Sequence, residues 1–159
     1  MHKMRRQSSV AYTGDKIMTI KVIKPSRWDL IVFKFPGDPT QNYLMRLVGL
    51  PGEKLYIEDG SVWINDKRLQ QPSHIEDLKF DLSIQNNETR FKPFGKKDDP
   101  VTLGPDEYFV LGDFSLMSGD SRYWTVGAPG HPPYAVPESY IVGVATHIYW
   151  PPERWRVLK

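Results

Sequence analysis

The sequence predicts a mainly β domain of antiparallel strands with little helix, and three observations favour this fold class. Runs of β-branched and aromatic residues alternate with polar residues at every second position. The dipeptide Asp59-Gly60 separates two such runs, as in a tight hairpin. No stretch of useful length has the 3.6-residue apolar period of a helix. At 159 residues with 40% hydrophobic residues, the chain predicts one domain over 1–159 with its own core.

The first two predicted strands lie close to the start of the chain. Residues 16–23 form a β-branched run. Residues 28–35 alternate, so that Ile31, Phe33 and Phe35 share one face of the strand. Both stretches therefore predict strands of a sheet with a buried side.

Further strands are predicted along the rest of the chain. Residues 43–48 predict a third strand. The runs on either side of Asp59-Gly60 predict a hairpin, because both central positions of its turn need positive φ. Strand character returns at 107–111 and at 140–150.

Four stretches are predicted to be irregular. Residues 70–100 are polar without sustained periodicity, which predicts a long excursion from the core. Residues 125–137 form a Gly/Pro-rich loop, and a single turn of helix is expected near 137–140. Residues 1–13 are interpreted as a divergent or truncated N-terminus.

Composition excludes several classes of site and partner. Without cysteine there are no disulfides, thiolate zinc sites or cysteine nucleophiles. His2, His74, His131 and His147 have no metal-ligand spacing, so we expect no metal and no cofactor. The net charge of +2 is dispersed and argues against a nucleic-acid partner. No run approaches the roughly 18 apolar residues of a membrane span, so no transmembrane segment is predicted.

Two motifs carry a family resemblance that covers about residues 14–150. Residues 43–53 read Tyr-Leu-Met-Arg-Leu-Val-Gly-Leu-Pro-Gly-Glu, and residues 112–124 read Gly-Asp-Phe-Ser-Leu-Met-Ser-Gly-Asp-Ser-Arg-Tyr-Trp. They resemble the Tyr-Ile-Lys-Arg-x-Val-Gly-Leu-Pro-Gly-Asp/Glu and Gly-Asp-Asn-x-x-x-Ser-x-Asp-Ser-Arg-x-Trp motifs of bacterial type I signal peptidases. The positions that match with a structural role are Arg46, Gly49, Pro51, Gly52, Gly112, Asp113, Asp120 and Arg122.

The resemblance implies a fold, an activity, a partner and a location. Members of this family have a complex of antiparallel β-sheets and are serine endopeptidases with a Ser/Lys dyad. They remove signal peptides from exported preproteins at the extracytoplasmic face of the cytoplasmic membrane. Signal peptides, and the membrane surface with them, are thus the implied partners, whereas the sequence indicates no oligomeric state.

Met45 stands where this family keeps its general-base lysine. A lysine activates a serine only when it is neutral, which requires its pKa to fall by roughly two to three units from about 10.4 through burial. Methionine fills a similar slot but has no basic nitrogen. Lys34 and Lys54 lie on neighbouring segments and are interpreted as solvated surface lysines. The chain is therefore expected to be inactive as written.

The resemblance assigns further roles within the second motif. The serine that matches Ser118 supports the lysine amine, and the pair that matches Asp120 and Arg122 forms a salt bridge. Phe114 replaces the asparagine of the family motif, so the hydrogen bonds of that side chain are lost. With Met45 opposite, Ser118 has no amine to support.

The nucleophile is not identified within the sequence. The family serine lies in a Ser-Met-x-Pro-Thr-Leu motif that ends shortly before a Gly-Asp, which Gly14-Asp15 matches. Ser8 and Ser9 are near this junction but lack the rest of the motif. We expect either that the motif lies upstream of residue 1 or that it is lost.

Substrate-binding positions are also implied by the resemblance. The family binds an extended peptide by strand addition, with shallow apolar pockets for small side chains. Val32, Tyr43 and Leu44 match pocket-lining positions, although each also suits the core of a β domain. Residues 148–152 with Trp155 fit either an interfacial membrane contact or a structural aromatic cluster.

Three functions remain open from the sequence. The first is the body of a signal peptidase whose serine motif lies upstream, with Met45 leaving it either crippled or dependent on an unusual base. The second is a pseudoenzyme that binds exported or membrane peptides without cutting them. The third, and weakest, is a self-cleaving repressor-type relative, because the two motifs favour the peptidase branch and no DNA-binding helix pair precedes the core.

Overall fold

The fold is mainly antiparallel β, as predicted. A computed structural model describes residues 14–82 and 93–158. Strand makes up 42% of the structure and helix 7%, the latter as short 3₁₀ turns. The strands in the described part of the chain are β1 Lys16–Ile20, β2 Leu30–Phe35, β3 Asp38–Gly49, β4 Lys54–Glu58, β5 Ser61–Ile64, β6 Lys67–Arg68, β7 Val101–Thr102, β8 Glu107–Leu111, β9 Val136–Pro137, β10 Ile141–Trp150 and β11 Arg156–Val157.

The strands form two sheets with antiparallel pairing throughout. The larger sheet has the order β1-β10-β2-β3-β8-β9, and β11 also pairs with β10. The smaller sheet has the order β6-β5-β4-β7. β3 pairs with β2 along most of its length, but β8 pairs with it only from Arg46 to Gly49. Residues 40–45 of β3 therefore have a strand on one side only, among the residues that the structure describes.

Two apolar clusters lie on opposite faces of the larger sheet. One face carries Val48, Phe109 and Leu111, which pack with the smaller sheet. The other face carries Ile31, Phe33, Met45, Leu47, Tyr108 and Val110. Alternation along each strand produces this division, since successive side chains point to opposite faces.

Most predicted elements are confirmed, with changes at their ends. The strand predicted at 16–23 ends at Ile20, and the one predicted at 28–35 begins at Leu30. The strand predicted at 43–48 is much longer and begins at Asp38, before an exposed polar stretch that has no apolar alternation. The hairpin turn at Asp59-Gly60 is confirmed, with φ of 50° and 73°.

The regions predicted to be irregular contain short structured pieces. A 3₁₀ turn at Glu138–Tyr140 confirms the predicted helical turn. Another 3₁₀ turn lies at Ser73–Ile75. Ile75 and Phe80 are buried in the apolar cluster between the larger and the smaller sheet. Ser8 and Ser9 lie outside the described residues, as do residues 83–92.

Trp28 has a backbone conformation that usually belongs to glycine. Its φ is 74°, in the left-handed region that glycine adopts most readily. The indole is buried, stacks on Phe80 at 6.4 Å between ring centroids, and donates a hydrogen bond to the carbonyl of Gln70 at 3.2 Å. Tertiary packing therefore offsets the strain of a left-handed tryptophan.

Replacing Trp28 by glycine is expected to destabilise the fold, although it relieves the backbone. The strain relieved is about 1–3 kcal/mol, whereas loss of a buried indole costs about 3–5 kcal/mol. We expect a net loss of about 1–3 kcal/mol of unfolding free energy in urea titrations. The matched variant Trp28→Ala keeps the strain and loses the indole, so it should be less stable than Trp28→Gly. A Trp28→Gly protein more stable than the wild type would contradict this account.

Candidate functional site

Met45 lies at the centre of the candidate site, in an apolar slot of β3. Its side chain is 8% exposed and belongs to the apolar cluster that also contains Ile31 and Phe33. Directly across the ladder it faces Ile31 of β2. A group in such a slot is largely removed from water, which is the environment that lowers the pKa of a lysine. The slot that a neutral lysine needs is thus present, while the residue in it is methionine.

The neighbouring Arg46 ties β3 to the residues that follow β8. Its Nε and Nη2 each donate to a carboxylate oxygen of Asp113 at 2.7 Å, and Nη1 donates to the carbonyl of Trp28 at 2.6 Å. The two side chains are 0% and 3% exposed. A buried ion pair holds its place only when its hydrogen bonds are well satisfied, as they are here by a two-pronged contact. This contact fixes where the second motif leaves the sheet.

A second buried ion pair organises the motif itself. Arg122 Nε and Nη2 donate to the two carboxylate oxygens of Asp120 at 2.8 and 2.7 Å. The same carboxylate accepts the backbone N–H of Gly112 at 2.9 Å. Arg122 also donates to the hydroxyl and the carbonyl of Ser115 and to the carbonyl of Asp81. The hydrogen bonds of the fully buried Asp120 and Arg122 side chains therefore hold the two ends of the motif together.

Ser118 lies directly against Gly112. A methyl group on Gly112 would overlap the Ser118 hydroxyl and come close to its Cβ, so only glycine fits there. The next residue, Gly119, accepts a hydrogen bond from the indole of Trp124 at 2.7 Å. Because Trp124 belongs to the same apolar cluster as Met45, it connects the Ser118 turn to the methionine slot.

The end of the first motif is held by a contact that sequence reasoning missed. Arg27 forms a two-pronged ion pair with Glu53 at 2.5 and 2.9 Å and donates to the carbonyl of Val48 at 2.6 Å. Gly52 in this turn has a φ of 78°. Gly49 is packed so closely that a Cβ would lie 2.7 Å from the side chain of Leu103. Opposite charges 26 residues apart leave no local pattern, so the sequence showed the residues but not their pairing.

The predicted pocket residues fall on two faces of the sheet. Val32 and Leu44 face each other across the β2–β3 ladder, both half-buried and both outside the two apolar clusters. Tyr43 points to the other face, where it stacks on Phe35 at 4.7 Å between ring centroids. The structure brings the first two together as an open apolar surface and places the third at the margin of the core.

Lys34, Lys54 and Phe114 are exposed, and Tyr108 is a buried phenol that was not singled out from the sequence. Lys34 and Lys54 are exposed, as expected of solvated surface lysines. Tyr108 lies in the cluster with Met45, and burial, with the charge of Glu138, raises the pKa of its hydroxyl. A phenol with a raised pKa stays protonated at neutral pH. Phe114, in place of the motif's asparagine, points into solvent.

No helix among the described residues is long and apolar enough to cross a membrane. In the same part of the chain no three His, Asp or Glu side chains are grouped as metal ligands.

Comparison with known proteins agrees with the two motifs. The family described as "Signal peptidase, peptidase S26" matches residues 4–150. Signal peptidase I of Rickettsia prowazekii is 33% identical over 119 residues, covering 62% of this chain and 45% of that protein. Signal peptidase I of Pseudomonas fluorescens is 31% identical over 150 residues, covering 83% and 52%. The chain thus spans about half the length of the curated relatives it matches.

A solved structure supports the same conclusion. The crystal structure of a signal peptidase I from Enterococcus faecalis superposes with a TM-score of 0.54 and 29% identity, covering 77% of this chain and 97% of that one. Fold, motifs and relatives agree, and the chain belongs to the type I signal peptidase family.

Proposed function

We propose that this chain binds signal peptides of exported proteins and does not cleave them by Ser/Lys chemistry. Met45 is the observation that carries the proposal, because it fills the buried slot of the family's lysine without a basic nitrogen. A thioether cannot accept the proton of a serine hydroxyl, so a serine brought to the site stays unactivated. Tyr108 belongs to the same apolar cluster as Met45, and because burial raises the pKa of its hydroxyl it offers no substitute.

The frame around the slot supports binding without catalysis. The ion pairs Arg46–Asp113 and Asp120–Arg122 are both buried and fully hydrogen-bonded. Breaking one partner of such a pair typically costs about 3–5 kcal/mol, so the intact pairs hold β3 and the second motif rigidly together. A rigid binding surface loses little entropy when a peptide docks.

The binding surface that we propose is the open edge of β3. Its residues 40–45 present backbone N–H and C=O groups that no described strand pairs with. An extended peptide added there gains main-chain hydrogen bonds, while side-chain pockets provide selectivity. Val32 and Leu44 form an apolar surface beside this edge that suits small side chains.

We propose that one exposed apolar end of the larger sheet contacts the membrane surface. It is formed by Met18, Trp150 and Trp155. All three side chains are about half exposed or more, and the ammonium of Lys16 lies 5.8 Å from the Trp150 ring centroid. Exposed indoles beside cationic side chains favour the headgroup region of a bilayer. We propose the extracytoplasmic side of the membrane for this contact, as the family resemblance implies.

A labelled peptide with an apolar run followed by Ala-x-Ala should bind the purified chain without being cut. Binding is measured by fluorescence anisotropy, and the absence of cleavage by mass spectrometry over hours. Leu44→Lys should weaken binding about tenfold or more, because it places a charge in the apolar pocket. Val22→Lys adds the same charge to an exposed loop and should leave binding unchanged. Peptide cleavage, or failure of any peptide to bind, would refute the proposal.

Restoring the family residue in Met45→Lys should produce a pH-dependent loss of stability. Burial lowers the folded-state pKa of the new amine by roughly two to three units below about 10.4, a penalty of about 3–4 kcal/mol. The penalty is full below the folded-state pKa, and it disappears as pH rises from that value to the unfolded-state pKa.

Urea unfolding of Met45→Lys between pH 6 and pH 10 measures this effect. Asn42→Lys places the same group on an exposed position of β3 and should show no such dependence. Equal stability of Met45→Lys at both ends of the range would show that the slot does not desolvate an amine.

A further inference from the structure

The turn at residues 114–117, here named the apolar turn, presents three large apolar side chains to water. Phe114 is 61% exposed, Leu116 54% and Met117 81%. Contiguous exposed apolar side chains on a folded surface mark sites of interaction. The remaining member of the turn, Ser115, is buried. Polar inside and apolar outside is the reverse of the usual arrangement of a surface turn.

The apolar turn is held rigidly in this orientation. The Ser115 hydroxyl accepts hydrogen bonds from the backbone N–H of Asp81 at 2.9 Å and from Arg122 Nη1 at 2.7 Å. Its carbonyl accepts Arg122 Nη2 at 2.8 Å, and the N–H of Met117 closes the turn on the carbonyl of Phe114 at 3.0 Å. The outward side chains are thus carried on a preorganised backbone, which lowers the entropic cost of binding.

The apolar turn lies beside the open edge of β3. β8 ends at Leu111, opposite Arg46, and the carboxylate of Asp113 binds the Arg46 side chain just before Phe114. Leu44, two residues before Arg46, points to the same face of β3. The apolar turn therefore begins where the pairing of β3 with β8 stops, on the side of the sheet that carries the Val32–Leu44 surface.

We infer that the apolar turn binds the apolar run of a signal peptide whose adjoining small residues pair with the open edge of β3. This inference rests on the proposed function. A signal peptide combines an apolar run of about 7–15 residues with small residues at its cleavage site. The small residues suit the Val32–Leu44 surface, and the larger ones need a separate apolar contact close to it.

The surroundings of the apolar turn favour a peptide over a bilayer. The outer edge of β3 at residues 41–45, which no described strand pairs with, leads up to Arg46 and the turn, and burial of the main-chain groups of such an edge in hydrocarbon without partners is unfavourable. An extended peptide satisfies these groups and covers the apolar side chains in the same binding event. The turn residues themselves carry no charge, which fits an apolar ligand segment.

The test compares two labelled peptides on the full chain by fluorescence anisotropy. Both end in the same Ala-x-Ala segment, and they differ in having a Leu-rich run or a Ser/Gln run before it. The wild type should bind the Leu-rich peptide at least about tenfold more tightly, because three side chains are covered. The triple variant Phe114→Asn, Leu116→Ser, Met117→Asn should lose this preference and keep its affinity for the Ser/Gln peptide. The control Val22→Asn, Ile23→Asn removes two other exposed apolar side chains and should retain the preference.

Each other outcome overturns the inference in a distinguishable way. If the triple variant prefers the Leu-rich peptide over the Ser/Gln peptide to the same degree as the wild type, the role of the apolar turn is refuted, whereas peptide binding at β3 is not. Binding of neither peptide refutes the proposed function and this inference together. Loss of vesicle binding or of self-association in the triple variant, with its peptide preference unchanged, identifies a bilayer or a second copy as the occupant. Thermal unfolding of both variants should match the wild type, since the altered side chains are exposed.

Discussion

The buried contact between Arg46 and Asp113 is the constraint on which the arrangement of the site depends. Arg46 follows Met45 and is two residues beyond Leu44, so fixing its guanidinium fixes both the slot and the pocket surface. Asp113 is the second residue of the second motif, so the same contact sets where the apolar turn and Ser118 lie. Loss of either partner would leave an uncompensated buried charge, at a cost of about 3–5 kcal/mol. The geometry therefore depends on charge pairing, whereas the family's chemistry depends on the single nitrogen that Met45 lacks.

Packing and catalysis are separable at Met45 for a simple reason. Methionine is unbranched, flexible and similar in length to lysine, so it fills the apolar slot without disturbing its neighbours. The ion pair between Asp120 and Arg122 is equally independent of the missing amine, because its partners are the backbone of Gly112 and the Ser115 and Asp81 groups. A binding scaffold can thus persist after the proton acceptor is gone.

The backbone conformation of turns was predictable from the sequence, whereas contacts between residues far apart in the chain were not. The hairpin at Asp59-Gly60 follows from backbone conformation alone, which two residues determine. The Arg46–Asp113 contact joins residues 67 apart, and no periodicity reports it. Trp28 carries positive φ because Phe80 and Gln70 stabilise its indole, which no local rule indicates. The exposure of Phe114 was equally hidden, since large apolar residues are usually assigned to the core.

An exposed apolar turn beside a site that has methionine in place of lysine suits a peptide-binding protein better than a peptidase. Only interactions that strengthen in the transition state raise kcat, whereas contacts remote from the reacting bond that are equal in both states merely tighten ground-state binding. Tighter ground-state binding also slows release, which limits turnover in many enzymes. In the binder that we propose there is no turnover to slow, and each contact that Phe114, Leu116 or Met117 makes with the peptide would lengthen its residence time. Under the proposed function, the methionine at position 45 would therefore remove the kinetic penalty on an apolar surface beside the site.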